Sequence, residues 1–478
     1  MSSLDPHNKE EWLALRQQGH RMLDDMFDYL ENLRERPVWQ PAPDAVRHEF
    51  DADMPIEGQD LAVVHDTFMQ AILPYAIGNA HPGFMGWVHG AGTPVGMLAE
   101  MLAAGLNANV GGRNQVPVLV EQQILHWVRD LFGFPETASG LFVTGTSMAN
   151  FIAVLVARKT ALGAAVRNVG VNQVQQRLVA YTSAGAHGCI AQAMDLSGLG
   201  IDALRIIPLN AEFSMDVAKL QTAIAEDLAQ GYVPFMLIGT AGSVDVGAID
   251  DLPVLADVAQ QHQLWFHIDG AYGALAMLSP GLRPRLQGLE RADSVAFDFH
   301  KWGQVPYDAG FVIVRDGTQH YETFATPAAY LRREACGMAA GSPWPCDYGP
   351  DLSRGFRALK TWFTLQVYGA DKIGASIAYT CELAQYLQQL IKAQPQLILA
   401  APVSLNVVCF RYDASDAINA EIVTQLQLAG HVAPSTTTIN GKLVIRAALV
   451  NHRAAQQDMD ALVAGVLKFG AELTGAGV

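Results

Sequence analysis

The feature that most limits the fold is a series of short apolar runs between residues 141 and 315: LFVTGT, RLVAYTS, LRIIPL, PFMLIGTAGS, LWFHIDGAY, SVAFDFHKW and AGFVIVR. Each is closed by turn residues. A strand covered on both faces shows no polar side to water, so its sequence loses alternation and becomes apolar nearly throughout. Helix-length segments separate the runs. One of these lies upstream, where Glu121 to Phe132 sets Ile124, Leu125, Val128, Leu131 and Phe132 on one helical face. The pattern predicts an α/β unit over 85–365, built on a large, mostly parallel sheet with helices on both faces.

The flanks read differently. Over 366–478, helix-like stretches surround the strand-like runs LNVVCFRYD and KLVIRAAL, predicting a smaller α+β C-terminal domain. Residues 1–84 read as an N-terminal helical arm. Within it, 11–33 forms an amphipathic helix with Trp12, Leu15, Met22, Met26, Leu30 and Leu33 at helical spacing. A Pro-rich connector follows from about 37 to 60. Such an arm cannot bury its apolar face alone and needs the body of the protein or a second subunit.

Composition excludes several classes. A chain of 478 residues with a formal net charge of −16 is a poor general binder of nucleic acid or of anionic membranes. No apolar run reaches transmembrane length. The N-terminus MSSLDPHNKEEW lacks the basic-then-apolar order of a signal peptide. The five scattered cysteines contain no CxxC pair, which argues against a disulfide framework or a zinc site. The expectation is a cytoplasmic protein.

Ligands of open α/β sheets bind beyond the carboxyl ends of the strands, and several strand ends here carry chemistry. Gly145, Thr146 and Ser147 follow one strand and open a helix, where free N–H groups and hydroxyls attract a phosphate; an ordinary capped turn is the alternative. Lys301, preceded by His300, stands in an apolar neighbourhood between Phe299 and Trp302. A desolvated lysine has a lowered pKa and forms Schiff bases with carbonyls, although a lysine at a strand end can also simply reach solvent. Asp269 closes another strand, as a carboxylate partner for a pyridine nitrogen or as a loop residue. His187, in SAGAHG, can stack on a flat ring, transfer a proton or serve structure alone. His267 and Asp269 share a strand face and can supply two metal ligands, but the sequence sets no third beside them, so no metal is expected.

Taken in order, GTSMAN, SAGAHG, HIDGAYG and DFHKWG resemble the group II decarboxylases that depend on pyridoxal 5'-phosphate (PLP), the relatives of aromatic-L-amino-acid decarboxylase. HPGFMG at 81–86, LAEMLAAGLN at 98–107 and RGFRALKTWFTLQVYG at 354–369 extend the likeness over nearly the whole chain. The resemblance implies the PLP-dependent transferase fold of the aspartate-aminotransferase type and a homodimer with active sites at the interface. It implies that Lys301 is the Schiff-base lysine and that His300 is a phosphate-contacting neighbour. By the same likeness Asp269 partners the pyridine nitrogen, Ala271 is the small residue beneath the ring and His187 stacks on its other face. Gly145, Thr146 and Ser147 would form the phosphate loop, with Thr240 near the ring substituents. The implied reaction releases CO2 from an L-amino acid, aromatic by default, and leaves the amine.

Two stretches depart from that pattern. Asn79, Val88 and Gly111 stand where enzymes for aromatic substrates carry bulky rings; Trp87 keeps one aromatic, and Arg113 adds a charge nearby. These five residues are the expected substrate pocket, wider or more polar than usual. The family places in the loop before RGFRALK a tyrosine that protonates Cα, and its replacement by phenylalanine accompanies oxidative deamination to an aldehyde. Tyr348 is the candidate here, although it lies about three residues closer to RGFRALK than the pattern has it, and Trp344 or Pro345 falls near the expected place. Gly337, Gly341 and Gly349 suit a loop that orders on substrate binding. A nicotinamide oxidoreductase would need a GxGxxG fingerprint that is missing, and a non-catalytic binding protein would have no use for the His187, Asp269 and Lys301 set.

Overall fold

A computed structural model describes residues 3–326 and 332–475. Its strands are β1 (Phe84–Met85), β2 (Ser139–Val143), β3 (Leu178–Ser183), β4 (Leu204–Ile207), β5 (Val233–Thr240), β6 (Trp265–Asp269), β7 (Ser294–Asp298), β8 (Gly310–Val314), β9 (Leu397–Leu399), β10 (Val407–Tyr412), β11 (Ala433–Ile439) and β12 (Lys442–Ala448). The first sheet has seven strands in the order β2-β8-β7-β6-β5-β3-β4. From β7 to β4 every pairing is parallel, while β8 runs antiparallel to both β7 and β2. This is the α/β fold of the PLP-dependent transferases that the apolar runs and motifs led us to expect. All five residues of β7 and of β8 are buried, which explains their lack of alternation.

The second sheet has the order β1-β11-β12-β10-β9, antiparallel except where β1 joins β11. Two elements cross the boundaries drawn from sequence. Strand β1 belongs to the C-terminal sheet, and the helix Arg357–Lys392 runs through residue 366 with a break at Gly369, where φ is 75°. This helix ties the two sheets together: Trp302 Nε1 donates to Thr380 Oγ1 at 3.0 Å, and Lys360 Nζ to the Tyr307 carbonyl at 3.0 Å.

The N-terminal helix spans Lys9–Glu31, starting two residues earlier than its apolar spacing suggested because Asn8 caps it by accepting from the Glu11 N–H. None of its residues is buried, and Trp12 keeps 51% of its surface exposed. Of the apolar face read from the sequence, Trp12, Leu15 and Met22 lie exposed on the single chain, Met26 and Leu30 are half-buried, and Leu33, just past the helix, is buried. The connector after it contains a short helix, Asp44–Glu49. Among the described residues, no helix is long and apolar enough to cross a membrane.

Candidate active site

A cavity of about 290 Å³ opens beyond the carboxyl ends of β5, β6 and β7. All nine residues assigned to the cofactor line it: Gly145, Thr146, Ser147, His187, Thr240, Asp269, Ala271, His300 and Lys301. The helix Thr146–Leu162 starts at its wall without a side-chain cap, leaving its first N–H groups available to an anion. Two glycines explain how the walls close up. A Cβ at Gly90 would lie 2.2 Å from the His300 carbonyl oxygen, and one at Gly310 would lie 2.4 Å from Gly145 Cα.

Strand β7 stops at Asp298, so His300 and Lys301 sit in the turn beyond it and not in the strand. The Lys301 side chain keeps 22% exposure, and its Nζ lies 3.1 Å from Asp298 Oδ2. The lysine is thus held by a carboxylate at the cavity mouth, where the apolar run had suggested plain desolvation. Asp298 escaped the sequence reading although it stands in the same DFHKWG segment. Its spacing from Lys301 was the available signal. The His300 Nδ1 accepts from the Ala309 N–H at 2.9 Å, and burial lowers the pKa of this imidazole. Tyr307 packs on it with ring centroids 4.3 Å apart.

Asp269 is buried at the end of β6. Its Oδ1 accepts from the Ala271 N–H at 3.1 Å and its Oδ2 from Asn150 Nδ2 at 3.1 Å. Burial raises its pKa, while the Lys301 charge and these two donors work against that rise. His187 is exposed at the opposite side, with its Nδ1 accepting from the Cys189 N–H at 3.2 Å. Cys189 also lines the cavity, and burial pushes its thiol up to about 12. The two nitrogens of His267 each lie 2.8 Å from a polar partner, Ser294 Oγ and Asn150 Oδ1, so its ring is engaged inside the protein.

Four buried polar atoms of residues lining the cavity have no partner among the described residues: Thr146 Oγ1, Thr240 Oγ1, the Tyr272 hydroxyl and Asp298 Oδ1. Buried polar groups are rarely left without one. An open helix N-terminus, a lysine, a buried carboxylate and unpaired hydroxyls around one flat cavity suit the phosphate, carbonyl and ring nitrogen of PLP.

The substrate-pocket residues divide. Val88 lines the cavity, joined by His89, Tyr307 and Val244, which the sequence reading did not single out. The segment carrying Val88 and His89 is bent by ring contacts among Phe84, Trp87 and His89. Trp87 is exposed beside it, and Asn79 turns away to donate to the Gly90 carbonyl at 2.8 Å. Gly111 and Arg113 lie apart, against the loop that precedes Arg354. There the buried Trp344 ring lies beneath the guanidinium groups of Arg113 and Arg333, 4.4 and 3.4 Å from its centroid. Tyr348 also stands outside the cavity, packed on His320 at 5.1 Å between ring centroids. It faces a wider depression of about 600 Å³ that contains none of the cofactor candidates.

Residues 43–413 match the family model described as pyridoxal-dependent decarboxylase conserved domain. An aromatic-L-amino-acid decarboxylase of Bacillus atrophaeus is 30% identical over 458 residues, covering 93% of each chain. A phenylacetaldehyde synthase of Arabidopsis thaliana is 28% identical, again over 93% of each. The crystal structure of Oryza sativa TDC with PLP and tryptamine superposes with a TM-score of 0.88 at 23% identity, covering 98% of this chain and 100% of that one.

Proposed function

The chain belongs to the pyridoxal-dependent decarboxylase family and is a PLP-dependent decarboxylase, and on that premise we propose that it acts on an L-amino acid, aromatic in the first instance, to release the amine and CO2. The observation that carries this reading is the meeting of Lys301, Asp269 and the Gly145–Ser147 turn around a single cavity. Bound PLP supplies an electron sink for the pair left behind when the carboxylate departs.

The residues divide the work. Gly145, Thr146 and Ser147 would hold the phosphate through N–H groups and hydroxyls at the helix start, and Lys301 would hold the cofactor through Nζ. Asp269, buried and acceptor-only when ionised, holds the proton of the ring nitrogen. Ala271, being small, would leave room for the cofactor, and the unpartnered Thr240 hydroxyl would be available to it. His187 would lie against the cofactor; with its Nδ1 engaged by the Cys189 N–H, its Nε2 is the atom left to face it. Val88, His89 and Tyr307 surround the side-chain end, and the imidazole admits a polar group there that an all-aromatic pocket would reject.

A second reading concerns the product. Trp344 and Pro345, not a tyrosine, stand near the loop position of the family's proton donor, and Tyr348 is packed away from the cavity. This favours weighing decarboxylation coupled to oxidative deamination, in which O2 and water are consumed and an aldehyde, ammonia and hydrogen peroxide appear with the CO2. The exposed part of the apolar face of the helix Lys9–Glu31 supports a homodimer, and five free thiols suit a reducing, cytoplasmic compartment.

The deciding experiment screens L-amino acids for CO2 release by the purified holoenzyme, with amine, aldehyde and peroxide measured together. One aromatic amino acid giving equal amounts of amine and CO2 is the expected result. Stoichiometric peroxide would transfer the case to the second reading, and no CO2 from any amino acid would sink both.

A further inference from the structure

Asp269 stands at the end of a run of hydrogen bonds to which the reaction gives no task. Trp265, His267 and Asp269 alternate onto one face of β6; Ser294 of β7 is the register partner of His267, and Asn150 comes from the helix Thr146–Leu162. Trp265 Nε1 lies 2.8 Å from Ser294 Oγ, which lies 2.8 Å from His267 Nδ1. His267 Nε2 lies 2.8 Å from Asn150 Oδ1, and Asn150 Nδ2 donates to Asp269 Oδ2 at 3.1 Å.

The direction of this chain is fixed from both ends. An indole N–H can only donate and a carboxylate can only accept. Asn150 must therefore turn its amide N–H to Asp269 and its oxygen to His267, which needs a proton on Nε2. Ser294 accepts from Trp265 and gives its own proton to Nδ1. Reversing any member would set two acceptors or two donors face to face. Burial holds His267 neutral, with its pKa pushed down to about 3. The groups facing Asp269 are Lys301, His187 and the Cys189 thiol; those at the His267 ring nitrogens are the uncharged Ser294 and Asn150.

We propose that Trp265, Ser294, His267 and Asn150 form a one-way relay that keeps Asp269 ionised and aimed at the ring nitrogen of the cofactor, with His267 and Asn150 as positioning residues. The relay rests on the assignment of Asp269 to that nitrogen. Hydrogen bonds in a low-dielectric interior polarise one another, so a file of donors pointing one way delivers more to the carboxylate than its last N–H alone. It also opposes the burial that would otherwise favour the protonated acid.

The test uses two ligands for the apoprotein: PLP and its analogue with carbon in place of the ring nitrogen. Asn150→Leu and His267→Leu should weaken PLP binding by roughly tenfold, the scale of one charge-assisted hydrogen bond, and leave the analogue nearly unaffected. Equal losses for both ligands would mean ordinary structural damage, and an undiminished PLP affinity would mean no relay; either overturns the proposal. If wild-type apoprotein does not bind PLP, the reading of the site fails first and takes the relay with it. Should the leucine variants not fold, nitrogen-15 NMR of the wild-type apoprotein decides. The His267 resonance, assigned by its loss in His267→Gln, should report a neutral ring protonated at Nε2 between about pH 5 and 8. A proton on Nδ1, or an imidazolium, would refute the direction of the chain.

Discussion

Lys301 Nζ and Asp298 Oδ2 lie 3.1 Å apart, with the carboxylate 2% exposed and the ammonium 22%. A buried acid thus holds a half-open base at the entrance of the cavity. On the proposed reading Lys301 holds the cofactor, and such a partner would keep its amine within reach between turnovers. Lys301→Ala should abolish both turnover and the borohydride-fixed cofactor adduct. Asp298→Asn keeps a hydrogen-bond acceptor but removes the counter-charge. It should retain the adduct while turnover falls by about tenfold or more. An adduct that survives in Lys301→Ala would point to a different lysine.

On the proposed reading, Asp269→Ala removes the charge set against the cofactor's ring nitrogen. Losing one preorganised electrostatic group in a closed site costs about 10²–10³ in rate. The variant should show that loss in kcat together with a weaker apoprotein affinity for PLP. Normal turnover in this variant would refute the electrostatic role.

The sequence showed the sheet because β3, β7 and β8 are buried on both faces, and burial leaves its mark in every residue of a run such as SVAFD. It missed β11, whose run of threonines, Thr436 to Thr438, lies on a half-exposed surface, and β1, only two residues long. The proposed cofactor residues were legible because each is the last residue of a strand or lies within four positions after one. Asn79, Gly111, Arg113 and Tyr348 were harder. They belong to loops, and their direction is set by contacts with distant partners: the Gly90 carbonyl for Asn79, the Trp344 ring for Arg113 and His320 for Tyr348. Asp298 was passed over because an acid beside a lysine reads equally well as a solvated pair.

Tyr348 bears on the product. Its phenol lies outside the Lys301 cavity, and burial raises its pKa. Tyr348→Phe should leave the ratio of amine to aldehyde unchanged and kcat within about threefold, since it removes one hydroxyl from a packed ring. A switch from amine to aldehyde would establish Tyr348 as the Cα proton donor.

Arg354 anchors the chain end of the same loop. It is 1% exposed and pairs with Glu121 at 2.7 Å, while its guanidinium also donates to the carbonyls of Val110 and Phe142. Removing one member of a buried pair leaves the other charge stranded, at about 3–5 kcal/mol. Arg354→Met should lower the urea midpoint accordingly. Adding Glu121→Leu should restore much of the loss, because the stranded carboxylate is then gone. A single variant as stable as the wild type would show that the pair contributes nothing.

Buried histidines set the acid limit of the fold, and three of them are shifted furthest. Burial is the main cause in each, lowering His267 and His320 to about 3 and His452 to about 4. An unfolded histidine titrates near pH 6.5. As pH falls below that value, the unfolded chain takes up protons that the folded chain refuses, so stability drops by about 1.4 kcal/mol per pH unit for each histidine. The decline continues until the folded values are reached. Asp250 works the other way: burial raises it to about 6, and the folded chain binds its proton first between there and its ordinary value near 4. Burial raises Asp269 and Asp293 as well and lowers His81, His89 and His300, so six lowered histidines stand against three raised carboxyls and the net slope stays unfavourable on the acid side. Urea midpoints of the holoenzyme should therefore fall steadily from pH 6.5 to 5, and His452→Gln should flatten that slope by about a third. A midpoint that holds level or rises over this interval would show that these imidazoles are protonated in the folded state.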